Sequence, residues 1–406
     1  MNHDRDLRER VTEVFDGAAP SRGPDDLLED VFAVTGASRP RPRWWTRLTE
    51  KPMRYDSALV SGSPTVRAAG LLAATVLLVL TLAGVALAGA QLFGSGRTYV
   101  VSPDGSADFV TIGEAVAAAV DGDTVVVRPG VYREDLVIVA DITVRGEGAR
   151  DAVVVEPTGN GPRTIVDRGT PAETGLPIGI DLQLSDARLE GLSIRGAMPL
   201  VGVRLNGGEP SLADLAVSIP DADDDHDEVA VLLAGGSSAS LRGLTLDQRL
   251  QVREASSMRL FRSDMAAPVE VLGPGRVTVS GNRFGAGSGL LVTDGAQGQV
   301  TGNEFQGSGI VVEGASDLEI QDNSVRDVER AALTVSHEGT VARIHGNDIR
   351  SSRAGVAIGP GTVVTLAENT ICSNETNVFE SSSATTEIHD NEVSDVCPAQ
   401  RPRRLP

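Results

Sequence analysis

Six asparagines, Asn282, Asn303, Asn323, Asn347, Asn369 and Asn391, recur at intervals of 21, 20, 24, 22 and 22 residues. The second residue after each is apolar: Phe284, Phe305, Val325, Ile349, Ile371 and Val393. Two units, SGNRFGAGSGLLV from residue 280 and TGNEFQGSGIVV from residue 301, are close copies. Between the anchors lie short alternating runs, 289–292, 309–312, 332–335 and 355–358, with turns of Gly, Asn, Asp and Ser. A period of this length, made of short strands without a helical stripe, leaves few architectures. Leucine-rich repeats need their own Leu spacing and a helical turn in each unit, and a propeller blade is nearly twice as long. One turn of a parallel β-helix per repeat remains, with equivalent residues stacked in columns.

In such a stack the Phe and Ile columns fill a dry interior. The Asn column has a structural explanation. At a tight bend an Asn side chain bonds its own backbone or the Asn one coil away, and it tolerates left-handed backbone angles. Strand-like runs continue upstream to residue 123, so 123–395 make roughly a dozen coils at this period. Composition agrees: aromatics are 3% and Gly numbers 45, which suits short strands and turns better than a helical bundle. At the front, Ile112, Val116 and Val120 share one face of a helix expected over 113–120, placed to cover the open end of the first coil.

Residues 68–90, AAGLLAATVLLVLTLAGVALAGA, carry no charge and are long enough to cross a bilayer of roughly 30 Å as a helix. Lys51, Arg54 and Arg67 precede this segment and Arg97 follows it, so the positive-inside rule puts 1–67 in the cytoplasm and the C-terminal domain outside the cell. The expected organisation is a partly helical or disordered segment at 1–67, a transmembrane helix at 68–90, a linker at 91–97, the β-helix at 98–398 and a tail at 399–406. The run RPRPRWWTRL at 39–48 could lie on an anionic inner leaflet, and 1–67 could meet a cytoplasmic protein partner. Cys372 and Cys397 are the only cysteines; outside the cell they are expected to pair and pin the C-terminal tail to the last full coil.

The net charge is -20, and all of the excess follows residue 90: 45 acidic against 25 basic residues, compared with 11 of each in 1–67. A domain this acidic is a poor nucleic-acid binder. Asp221, Asp223, Asp224, Asp225, Asp227 and Glu228 place six carboxylates in eight residues. Such a run is read first as a hydrated loop inserted into one coil. Calcium is the one cofactor it could hold, although it lacks the spacing and the Gly of an EF-hand loop.

The segment DFVTIGEAVAAAVDGDTVVVRPGVYREDLVIVADITVRGEG at 108–148 resembles the opening of right-handed parallel β-helix proteins of the pectin-lyase-like superfamily, through Thr111-Ile112, Ala115, Ala119, Gly122-Asp123, Pro129-Gly130, Tyr132 and Glu134. The resemblance covers about 98–398 and implies an all-β solenoid with a capping helix. The stretch DDLLEDVFAVTGASRPRPRWW at 25–45 resembles juxtamembrane segments of actinobacterial membrane proteins. The superfamily hosts lyases, hydrolases, esterases, epimerases and adhesins, so the fold alone does not give an activity. The chain has no Gly-His-Gly of the superfamily's hydrolases, and no ectodomain Lys to serve as a lyase base. His345 and His389, each two residues before an anchor Asn, read as a column feature. The expected function is therefore a membrane-anchored extracellular scaffold binding cell-surface polysaccharide without catalysis. The alternatives are a surface-tethered polysaccharide lyase or hydrolase, and a transmembrane sensor. The enzyme alternative requires carboxylates, or Asp with Arg, stacked on one face across adjacent coils.

Overall fold

The computed structural model describes residues 96–164, 175–196, 198, 200–220, 228–314 and 316–397. They form a solenoid of parallel strands in two sheets, one of 23 strands and one of 12. In the rear coils each turn gives two strands to the larger sheet and one to the smaller, as in Arg276–Ser280, Arg283–Phe284 and Leu290–Thr293. Each pairs with its equivalent one coil on: Arg283 faces Glu304 and Phe284 faces Phe305. The exception to the parallel pairing is the short antiparallel strand Arg163–Thr164 beside Leu176–Gln183.

In the rear coils the interior follows from period-two alternation along the strands of the larger sheet. Val279, Val300, Ile320, Ile344 and Leu366 form one buried column, and Met265, Phe284, Phe305, Val325, Ile349 and Ile371 form another. The Phe284 and Phe305 rings stack 4.3 Å apart and nearly parallel. At the C-terminal end the columns reach solvent, and Ile388 and Val393 are about half exposed.

The bend between the two strands of the larger sheet carries the Asn column. Asn282 donates from Nδ2 to Asn303 Oδ1 at 3.0 Å and to Leu260 O at 3.0 Å, and its backbone N–H donates to the same Asn303 Oδ1. The pattern repeats through Asn303, Asn323, Asn347, Asn369 and Asn391. A left-handed residue precedes every one: Gly281, Gly302, Asp322, Gly346, Glu368 and Asp390, at φ 54–67°. The sharp turn is thus made one residue before the Asn. The Asn then satisfies the backbone groups that the turn buries.

At the front, Ile112–Ala118 is a seven-residue helix, α1. Thr111 caps it by accepting from Glu114 N–H, and Glu134 accepts from Ile112 and Gly113 N–H. Ile112, Ala115 and Ala119 face the core, whereas Val120 lies beyond the helix and is 65% exposed. The inward face therefore ends a residue sooner than the spacing of Ile112, Val116 and Val120 suggests. At the other end a disulfide joins Cys372 to Cys397.

The expectation of a single-pass membrane protein is corrected. Among the described residues no helix is long and apolar enough to cross a membrane, and α1 is far short of the roughly 20 residues a span needs. The fold class is an all-β right-handed solenoid with one short helix, without the membrane helix that the sequence reading added. The membrane as partner, the cell-membrane location and the actinobacterial membrane-protein resemblance lose their support with it. Residues 68–90 and 1–67, with the expected cytoplasmic partner, lie outside the described residues.

Candidate functional site

The smaller sheet has an outer face that changes along the solenoid. One outward position per strand forms a column through Asp181, Arg204, Leu232, Gln251, Glu270, Leu291, Val311, Thr334, Ala357 and Phe379. Its neighbours along each strand, such as Ile180 and Leu182 or Leu250 and Val252, point into the core. An outward position on a solvated sheet is normally exposed. Here Asp181 and Gln251 are 0% exposed and Leu232 is buried, whereas Leu291, Val311, Thr334 and Ala357, like Arg204 and Glu270, are partly exposed and Phe379 is exposed.

Long connections enter this sheet at the same front coils. Residues 156–175 precede Leu176–Gln183 and 219–228 precede Val229–Ala234, whereas 285–289 and 307–309 suffice further on. A second apolar cluster, Ile178, Val201, Val229 and Leu232, with Leu176 against it, lies apart from the main core in these coils.

Within this face the polar groups pair across coils. Arg204 grips the buried Asp181 with two parallel bonds, Nε to Oδ1 at 2.8 Å and Nη2 to Oδ2 at 2.6 Å. Gln183 Nε2 also donates to Asp181 Oδ2, at 2.6 Å. Further along, Gln251 Nε2 donates to Glu270 Oε2 at 2.9 Å, and Arg249 Nη1 stands 3.6 Å from the same oxygen. Glu270 is 18% exposed, so of these two column carboxylates it is the one open to a ligand. Asp181 and Glu270 lie four coils apart, about 19 Å at the usual inter-strand spacing. They are too distant to act as one glycosidase acid/base pair.

A second polar surface lies on the larger sheet. Arg276, Thr278, Gln297, Gln299, Asp317, Glu319 and Arg343 line an open groove of about 360 Å³. Asp317, Glu319 and Arg343 are already paired. Arg343 Nη2 donates to Asp317 Oδ1 at 2.6 Å, Gln299 Nε2 donates to Glu319 Oε2 at 2.9 Å, and His345 Nε2 lies 3.1 Å from Glu319 Oε1. The hydrogen bond with His345 holds the Glu319 carboxyl below its ordinary range; desolvation opposes this, and Gln299 and the charges of His345 and Arg343 assist.

Of the acidic run, Asp221, Asp223, Asp224, Asp225 and Asp227 lie outside the described residues, and Glu228 is buried at the head of Val229–Ala234. Among the described residues no three His, Cys, Asp or Glu side chains cluster as a metal site would. The Asn column faces its own bend and the disulfide closes the last coil, so neither belongs to the polar face. Sequence reasoning passed over Asp181, Arg204, Arg249, Gln251 and Glu270. The signal was a polar residue between two core residues, as in Ile180-Asp181-Leu182 and Val269-Glu270-Val271. A solvated outer face has the same alternation.

Residues 229–393 match a family model described as a right-handed β-helix region. No curated protein matches the chain. Among solved structures, lacto-N-biosidase from Eubacterium ramulus is similar at 12% identity over 73% of this chain and 68% of that one, with a TM-score of 0.54. Its selenomethionine form gives 13%, 74%, 68% and 0.53. The A-module of a mannuronan C-5 epimerase from Azotobacter vinelandii aligns at 13% identity over 71% of this chain and 94% of that one, with a TM-score of 0.33. At these identities the likeness is one of fold.

Proposed function

We propose that the protein is a carbohydrate-active enzyme whose glycan lies across the outer face of the smaller sheet at its front coils. The observation that carries this reading is two ion pairs, buried Asp181 with Arg204 and partly exposed Glu270 with Arg249, on a face where Leu291, Val311, Ala357 and Phe379 stand in later coils. Burying charge is costly even when it is paired. A passive scaffold gains nothing from that cost, whereas a site that must hold polar groups in fixed positions needs it. The activity of the similar lacto-N-biosidase supports a carbohydrate substrate. In this reading Glu270 is the reactive carboxylate and Gln251 and Arg249 orient it. Asp181, locked by Arg204 and Gln183, fixes the far end of the face.

The test is to incubate the full-length chain with a panel of polysaccharides and to score retention, new reducing ends and unsaturated products. Product formation that Glu270→Gln abolishes supports the enzyme. Retention without any product supports glycan scaffolding instead, a reading favoured by the wide separation of Asp181 from Glu270. Neither retention nor product overturns both.

A further inference from the structure

The outer face of the strand Arg249–Arg253 holds polar atoms that nothing among the described residues satisfies. Gln251 is fully buried. Its Nε2 donates to Glu270, which fixes the amide orientation and leaves Oε1 as the other end; Oε1 accepts no hydrogen bond. Arg249, two residues earlier and on the same face, turns Nη1 toward Glu270. Its Nε and Nη2 are buried without partners. These two nitrogens carry parallel N–H bonds along one edge of the guanidinium, the edge that grips an oxygen acceptor.

Unmade hydrogen bonds of this kind destabilise a fold, and groups left so in a folded protein call for an explanation. Their chemistry specifies what would complete them. The fork needs an acceptor, and Gln251 Oε1 needs a donor. A carboxylate suits the fork but would set an oxygen against Oε1. It would also add negative charge where Arg249 already faces Glu270 and Arg204 already faces Asp181. An amine suits Oε1 but meets the arginine. A hydroxyl offers acceptor and donor from a single oxygen; a neutral secondary amide offers them from two atoms, a carbonyl oxygen and an N–H, so that the fork and Oε1 are met separately.

The geometry points to Arg249 and Gln251 as the recognition pair for an N-acylated amino sugar. The carbonyl oxygen of the ligand accepts from Nε and Nη2 of Arg249, and its N–H donates to Oε1 of Gln251. The inference rests on the reading that a glycan lies on this face, and adds which kind of sugar unit it holds there. A site built around hydrogen-bonding groups rejects analogues that leave those groups unpaired.

The test compares three probes on the full-length chain by calorimetry: a chito-oligosaccharide, a cello-oligosaccharide of the same length, which carries hydroxyl in place of acetamido, and an oligogalacturonate, which carries carboxylates. The expected result is that the chito-oligosaccharide binds more than about tenfold tighter than the other two. Arg249→Lys, which keeps the charge and loses the fork, and Gln251→Met, which loses the acceptor, should each bring that ratio close to one while the thermal transition stays cooperative. The wild-type comparison needs no variant, so a variant that fails to fold does not rescue the idea. Equal affinities, or tightest binding of the oligogalacturonate, overturn the amide assignment. So does failure of the chito-oligosaccharide when some other glycan is retained in the panel above, and in that case the glycan reading stands. Failure of every glycan overturns both.

Discussion

The front and rear coils of this solenoid solve the same bend in opposite ways. From Asn282 onward the bend position is Asn, and each side chain is consumed by the next in a buried ladder. In the front coils the equivalent positions are Leu192, Leu215 and Leu244, also buried, and Ser263 forms the transition by donating its N–H to Asn282 Oδ1. The outer face of the smaller sheet changes the other way. Polar side chains at Asp181, Arg204, Gln251 and Glu270, of which Asp181 and Gln251 are buried, give way to Leu291, Val311 and Ala357. The rear coils therefore spend their buried polar groups on one another, which builds a repeat. The front coils close their bends with hydrocarbon and place buried polar groups on the outer face of the smaller sheet. A candidate site is better sought where polar burial departs from the repeat than where polar residues are most numerous.

The largest expected effect comes from Arg204→Ala, which leaves Asp181 buried without its partner and should cost about 3–5 kcal/mol by denaturant titration. Arg343→Ala removes a comparable ion-pair contact, at 2.6 Å, from an exposed rear surface and should cost no more than about 1 kcal/mol. If the two losses are equal, the contrast between the halves fails. Reduction of Cys372–Cys397 should cost roughly 3 kcal/mol on the chain-entropy account, and should raise hydrogen exchange in 376–394 while sparing 176–272. Asn323→Ala leaves the Asn303 backbone N–H without its buried acceptor, at about 1–3 kcal/mol. The smallest effect concerns pH. The Glu319 carboxyl is depressed in the folded state, so its contribution is present above its ordinary value of 4.5 and is lost as pH falls through the lower folded value. Melting temperatures of wild type should therefore fall faster than those of Glu319→Gln below about pH 4.5.

The rear coils were legible in the sequence because their constraint is local and repeated. The Asn, the apolar residue two beyond it and the small or acidic residue before it recur within one short window, and the pairing follows from that spacing. The left-handed residue was assigned one position late, because Asn tolerates that conformation and the pattern marks Asn more visibly than Gly281 or Asp322. The front site was not legible. Asp181 and Gln251 stand at outward positions, and only three-dimensional placement distinguishes an outward residue in water from one that is covered. The membrane expectation drew on the length, the lack of charge and the flanking charges of a segment that lies outside the described residues.

The most direct test sets paired variants from the two faces against each other in one polysaccharide screen of the full-length chain: Asp181→Asn and Glu270→Gln from the front, Asp317→Asn and Glu319→Gln from the rear. Loss of glycan retention or turnover in the front pair, with both preserved in the rear pair, is the predicted result. Loss confined to the rear pair would contradict the placement of function on the front face of the smaller sheet.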